Sequence, residues 1–189
     1  MPNWIDNIAH FTFRSNEEAK AFQYKIKQGK KLLTLIRPMP DWVSMSETHI
    51  YKEDVLANMT DEEREENPRG YSWLTWRLEH WGTKWDVSDS GISTELNSNV
   101  LTLRFETAWN PPMQAYSHAL ATSLVEDIKA YFLDECPYHY GKYSNGVPLV
   151  VRNELPKYEP YLTLFADNLS YLNEDEEDEE SEGDSSNDN

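Results

Sequence analysis

The sequence predicts an α+β domain in which an antiparallel sheet carries its helices on one face. Three observations predict it. Residues 5–14 alternate apolar and polar side chains, Ser15 opens a capping box followed by an apolar stripe at helical spacing, and residues 99–109 alternate again before Pro111-Pro112 leads into another helical pattern. At 189 residues the chain is long enough for one domain with a core and too short for two ordinary ones.

In the first alternating segment Ile5, Ala9, Phe11 and Phe13 share a face, with Asn7 as the exception, and His10, Thr12 and Arg14 lie opposite. Ser15 with Glu18 three positions on starts a helix whose stripe is Ala19, Phe22 and Ile26, and Gly29 stops it. Residues 32–36 are a short apolar run ending at Pro38 and Pro40, either a buried strand or an extended segment entering a loop. Residues 46–68 read as an insertion of short helices within a region of about residues 37–70, with Thr60 and Glu63 as a second capping box.

Residues 72–81 predict a helix that carries Trp73, Leu74, Trp76, Leu78 and Trp81 on more than one side, so it should be buried between the sheet and another element; Gly82 ends it. Strand signals follow at residues 85–94 and 99–109, where Leu101, Leu103, Phe105 and Trp109 share a face with Thr107, and a hairpin through residues 96–99 joins them. Met113, Tyr116, Leu120, Leu124, Ile128 and Phe132 recur at three- or four-residue intervals and predict a helix of five turns. Asn145-Gly146 is a turn before a last strand at residues 147–152, and residues 161–172 predict one closing helix. The order strand, helix, strand, strand, helix, strand is that of a ferredoxin-like split βαβ sandwich with a helical insertion after its first helix.

Charge is the strongest compositional signal. The chain has 17 Lys and Arg against 34 Asp and Glu, a formal charge of -17. Ten of the sixteen residues 174–189 are acidic and none is basic, which leaves residues 1–173 as the folded domain with 24 acidic and 17 basic side chains. The terminal segment has too little apolar surface to offset its ordering entropy, about 1–2 kcal/mol per residue, and is expected to be disordered. Such a balance argues against direct attraction to nucleic acid or an anionic membrane and favours a basic partner. No apolar run is long enough to span a membrane, and the opening Met-Pro-Asn-Trp-Ile-Asp has neither the basic flank nor the apolar core of a signal peptide, so a cytoplasmic protein is expected.

Motifs of known chemistry are sparse. The sequence contains no HExxH, Gly-x-Ser-x-Gly, phosphate-binding glycine loop or Cys-x-x-Cys, and no catalytic residue, metal or cofactor is assigned. The histidines His10, His49, His80, His118 and His139 have no ligand spacing, and Cys136, the single cysteine, has no basic neighbour and is expected to be a packed thiol. Removal of Met1 would expose Pro2 as a secondary amine at the start of a strand, which resembles the catalytic base of the tautomerase superfamily.

Four stretches carry a wider resemblance: Met-Pro-Asn-Trp at 1–4, Arg37-Pro38-Met39-Pro40, Trp81-Gly82-Thr83-Lys84-Trp85-Asp86, and the run from Phe105 through Trp109 to Pro112. In these, over roughly residues 1–135, the chain resembles the YubB-like family of phage, plasmid and pathogenicity-island proteins. The resemblance implies a ferredoxin-like domain and a mobile-element setting, without a defined reaction. Ile5 stands where many members have cysteine, and the acidic tail is not part of the family pattern.

The leading expectation is therefore a non-enzymatic accessory protein acting through protein–protein contact, with its carboxylates occupying the Lys and Arg clusters of a basic host protein, as a mimic of nucleic acid would. The candidate contacts are the acidic cluster Asp61, Glu62, Glu65 and Glu66, the aromatic segment Trp85 and Asp86 with Trp109, and Glu174, Asp175, Glu176 and Glu177 of the tail. A tail that only confers solubility, and tryptophans that only pack, are the plain readings of the same residues. The alternatives are a nucleic-acid-binding module using an open sheet face, for which Lys25, Lys27, Lys30 and Lys31 offer a small basic patch, and a tautomerase-like enzyme using Pro2.

Overall fold

A computed structural model describes residues 3–43, 52–87, 91–137, 139–152, 154 and 160–169. In chain order its elements are β1 (Trp4–Thr12), α1 (Asn16–Lys27), α2 (Leu32–Ile36), α3 (Lys52–Ala57), α4 (Asp61–Glu66), α5 (Trp73–His80), β2 (Ile92–Asn97), β3 (Val100–Ala108), α6 (Met113–Ala121), β4 (Asp127–Asp134), β5 (His139–Ser144), β6 (Val147–Arg152), α7 (Tyr161–Leu164) and α8 (Ala166–Leu169). The fold is α+β. Six strands form one antiparallel sheet in the order β2-β3-β1-β4-β5-β6, with β1 at its centre against both β3 and β4.

The alternation of β1 is what makes it central. Ala9, Phe11 and Phe13 lie on one face and are buried with Leu101 and Leu103 of β3 and Ile128 and Ala130 of β4. Against that face pack Ala19, Phe22 and Ile26 of α1, Leu32, Leu33 and Ile36 of α2, and Ala115, Tyr116 and Ala119 of α6. Asn7 belongs to this face too, only 2% exposed; its amide donates to the Thr107 hydroxyl at 2.9 Å and to the Ile5 carbonyl at 2.8 Å. The amide N–H groups of this polar residue are thus satisfied, in part by a polar neighbour on the adjoining strand, while its buried Oδ1 has no hydrogen-bond partner among the described residues.

Helix starts follow their caps. The Ser15 side chain accepts from the Glu18 backbone N–H, Thr60 and Glu63 form a reciprocal capping box, and Ser72 pairs with Thr75 in the same way. The Asn145-Gly146 turn has φ of 53° and 75° and connects β5 directly to β6, as the pairing of Ser144 with Val147 requires.

Several sequence expectations are corrected. Residues 32–36 form neither a strand nor an extended segment but the short helix α2, because Asp86 supplies its N-terminal acceptors from 52 and 53 positions away. The five-turn helix expected from Met113 to Phe132 ends at Ala121. Leu124 N–H turns back to the Ala119 carbonyl, Ser123 adopts φ of 54°, and residues 127–134 enter the sheet. Ile128 and Phe132, four apart, satisfy a helical stripe and one strand face equally, so periodicity could not separate the two.

The strand expected from residue 85 begins at Ile92, and Trp109 lies beyond the end of β3 with φ of 76° and does not share its face. The closing helix is broken at Phe165 into α7 and α8. These two cover the sheet face opposite α1 and α6: Phe165 and Leu169 are buried against Ile8, Leu133 and Tyr140. Helices therefore occupy both faces. Cys136 is exposed and not packed; its thiol sits just past β4, where the chain turns out of the sheet. The expectations for Pro2, His49 and residues 174–189 lie outside the described residues.

Candidate partner-binding surface

At one end of the sheet, α5 meets the exits of β3 and the start of α6. Gly82, with φ of 93°, lets the chain leave α5 sharply. The following segment is then held at several points. Trp81 Nε1 donates to the Arg37 carbonyl at 2.8 Å, Thr83 Oγ1 donates to the Ala108 carbonyl at 2.7 Å, and the Ala115 N–H reaches the Trp81 carbonyl at 3.3 Å. Across the sheet end, the Trp109 N–H donates to the Asn3 carbonyl at 2.9 Å. Thr83 is fully buried, which fixes the residues after it.

These ties bring three indoles together at the surface. Trp4 and Trp85 have ring centroids 5.9 Å apart, and Lys84 Nζ sits 4.7 Å from the Trp85 ring and 4.5 Å from the Trp109 ring. An ammonium over two π faces is attracted by each ring quadrupole. Trp4 and Trp109 are each 37% exposed, so the cluster is not core. Beside it opens a cleft of about 490 Å³ with Trp4, Trp81 and Trp85 on its wall together with Arg77 and Glu106. The Arg77 guanidinium carbon lies 5.1 Å from both the Trp73 and the Trp81 rings, and its buried Nε has no hydrogen-bond partner among the described residues.

Asp86 plays a different part from its neighbours. Its Oδ1 accepts from the Leu33 and Val87 backbone N–H groups, both at 2.8 Å, while Oδ2 accepts from the Thr34 N–H at 2.9 Å and the Thr34 hydroxyl at 2.7 Å. The carboxylate is committed to the first turn of α2, and it makes no ion pair with Lys84.

The acidic cluster lies elsewhere. All six residues of α4 are exposed; Asp61 pairs with Arg64 at 3.2 Å and Glu63 completes the capping box at Thr60. Glu62, Glu65 and Glu66 have no hydrogen bond or ion pair among the described residues. No residue of α4 lines the tryptophan cleft, so the structure does not join these two groups of expected contacts. Glu174, Asp175, Glu176 and Glu177 lie outside the described residues.

Two features escaped the sequence. Trp4, Arg77 and Glu106 join Trp85 only through the fold, although Trp4 stands in the opening motif that carries the family resemblance. On the opposite face of the sheet, the register places Arg104 beside Ile8, Lys129 beside His10 and Lys142 beside Tyr131. His10 Nδ1 is 2.9 Å from the Thr102 hydroxyl, and its pKa is lowered from the usual 6.5 by burial and then by Arg104 and Lys129. The signal for this row was the alternation inside residues 127–134, hidden by its coincidence with a helical stripe. Among the described residues, no group of three or more His, Cys, Asp or Glu is placed to hold a metal, and no helix is long and apolar enough to cross a membrane.

Comparison with known proteins gives one structural likeness. No family model matches the chain, and no curated protein matches it. The crystal structure of the protein api92 from Yersinia pseudotuberculosis, of the family DUF1281, is similar over 84% of this chain and 100% of that one, at 12% identity and a TM-score of 0.39.

Proposed function

We propose that this chain is a non-enzymatic accessory protein of a phage or similar element, of the YubB-like family, which acts in the cytoplasm by binding a basic host protein. The observation that carries the reading is the gathering of Trp85 and Trp109 around Lys84, with Trp4 against Trp85, on an accessible end of the sheet. Tryptophan is the residue type most enriched where binding energy concentrates, because one indole buries a large area at little entropic cost. The half-exposed Trp4 indole, which shares the cleft wall with the Glu106 carboxylate, suits an incoming Lys or Arg side chain. The carboxylates of Glu62, Glu65 and Glu66 on α4, without a hydrogen bond or ion pair among the described residues, and the acidic side chains of residues 174–177 add long-range attraction for the same partner and are the elements of a nucleic-acid mimic.

The fold belongs to the same reading. The order β2-β3-β1-β4, with α1 following β1 and α6 between β3 and β4, supports a ferredoxin-like split βαβ unit extended by β5 and β6.

Tryptophan fluorescence tests the proposal directly. An arginine- and lysine-rich peptide titrated into the full chain should give a saturable change. The double variant Trp85→Ala, Trp109→Ala should weaken it at least about tenfold, which is about 1.4 kcal/mol, with unchanged circular dichroism. A chain that ignores the basic peptide but is retarded by short RNA or DNA in a gel overturns this reading in favour of the nucleic-acid-binding module.

A further inference from the structure

The two edges of the sheet differ in what they show to solvent. At one edge, β2 exposes Ser93, Glu95 and Asn97 and keeps Ile92 and Leu96 packed against the core. At the other, β6 exposes apolar side chains: Val147 is 65% exposed, Leu149 52% and Val150 42%. It contains no acid, and Arg152 is its single charge. Among the described residues β6 pairs with β5 alone, so its outer side is a template for a further strand.

The Asn145-Gly146 turn decides which backbone groups of β6 face outward. Ser144 and Val147 close a two-residue hairpin and form a hydrogen-bonded pair, so Leu149 and Val151 also bond to β5, opposite Lys142 and Tyr140. Pro148, Val150 and Arg152 alternate with them. Their main-chain groups therefore aim away from β5, and those groups have no backbone partner among the described residues. Pro148 lacks an N–H and offers only its carbonyl.

We infer that this edge pairs with a second copy of the chain, β6 against β6, antiparallel about a two-fold axis at Val150, which joins two six-stranded sheets into one. In that register the two Val150 residues exchange both N–H···O bonds, and the Arg152 N–H of each copy meets the Pro148 carbonyl of the other. Every outward donor of the strand is used. The donor that Pro148 lacks is missed only by the Arg152 carbonyl, at the strand end, where water replaces it. Side chains match as well: Val150 stands opposite Val150, and Leu149 opposite Val151 on the face where Val151 already packs against the cluster of Ile8, Leu133, Tyr140, Phe165 and Leu169. The edges left outermost are the two polar β2 strands, so the assembly closes at two copies. Pairing through six residues buries less than the about 1,200–2,000 Å² of a standard interface, and the dimer is accordingly concentration-dependent. No residue of β6 lines the tryptophan cleft, so the contact stands or falls apart from that surface.

Sedimentation equilibrium of the full chain between about 0.01 and 1 mM tests the pairing. The native chain should pass from monomer to dimer across that range, and Val150→Pro should weaken association at least about tenfold. Proline at this position removes an outward donor and leaves the bonds of Leu149 and Val151 to β5 in place. As a second variant, Val150→Lys sets like charges opposite each other on the axis and should weaken association as much, with unchanged circular dichroism. Amide hydrogen exchange at Val150 and Arg152 should slow in the native chain as its concentration rises.

A native chain that stays monomeric up to about 1 mM overturns the pairing, as does a dimer that both variants leave intact. Protection of the Val150 amide at every concentration assigns the edge to another segment of the same chain, and protection gained only with an added extended apolar peptide assigns it to a foreign strand. Either result overturns the pairing too.

Discussion

The carboxylate of Asp86 and the backbone N–H of Leu33 lie 2.8 Å apart although 53 residues separate them. With Thr34 bound by the same carboxylate, Asp86 supplies from a distance the acceptor that residue 31 does not: the Lys31 side chain makes no cap hydrogen bond. This joins the tryptophan segment to α2, and Leu32, Leu33 and Ile36 are thereby seated in the core.

Asp86→Ala should therefore destabilise the chain by about 1–3 kcal/mol, since several donors lose a charged acceptor together. Asp86→Asn, which keeps one carbonyl oxygen, should recover part of the loss. Urea denaturation of the two variants measures the difference, and equal stability of Asp86→Ala and the native chain would show that the cap carries no weight.

Two glycines should respond differently to alanine. At Gly141 a Cβ would collide with the Leu149 backbone carbonyl and stand 2.7 Å from two carbons of the Phe132 ring, so β5 and β6 must separate. At Gly82 the nearest atom is the movable end of the Gln114 side chain, although φ of 93° strains any side chain there. Gly141→Ala should cost more than about 2 kcal/mol and Gly82→Ala about 1–3 kcal/mol. Hydrogen exchange should show the first loss concentrated in residues 139–152 and the second in residues 81–87.

The contact of Lys84 with Trp109 should be measurable by a double-mutant cycle. Lys84→Met keeps the aliphatic stem and removes the charge, and Trp109→Leu removes the π face. A coupling of about 0.5–1 kcal/mol is expected at this half-exposed position. Zero coupling would mean that the ammonium is held by other contacts.

Tyr116 is a buried residue whose hydroxyl has no hydrogen-bond partner among the described residues, and burial raises its pKa strongly. Its ring packs on Phe11 and Tyr143. Tyr116→Phe keeps those contacts and removes an unpaired polar group, so it should be neutral or stabilising by up to about 1–2 kcal/mol in thermal or chemical unfolding.

Acidification should weaken the fold through its histidines. Burial is the first cause lowering the pKa of His10, His80 and His118 below 6.5. The unfolded chain then binds more protons than the folded one below that value. The stability these rings contribute is complete above pH 6.5 and is lost as pH falls through their lowered folded values. Unfolding free energies measured between about pH 5 and 7 should rise with pH, and His10→Gln should flatten that slope.

What the amino-acid sequence determined by itself is local. The alternation of residues 5–13 and 101–107, the caps at Ser15 and Thr60, the arrest at Gly82 and the Asn145-Gly146 turn are properties of short segments, and the structure contains each of them. Where one pattern serves two periods, local reasoning had no means of choosing. Ile128 and Phe132 fit a helix after Tyr116 as well as a strand beside β1, and only pairing of Ala130 with Ala9 and of Ile128 with Phe11 decides for the strand.

The same holds for the candidate surface. Trp85 and Trp109 were legible as unusual tryptophans, but their convergence on Lys84, the capture of Asp86 by α2 and the cation row of Arg104, Lys129 and Lys142 depend on strand register. Register is set by burying whole faces at once, so it belongs to the tertiary structure and to no single segment.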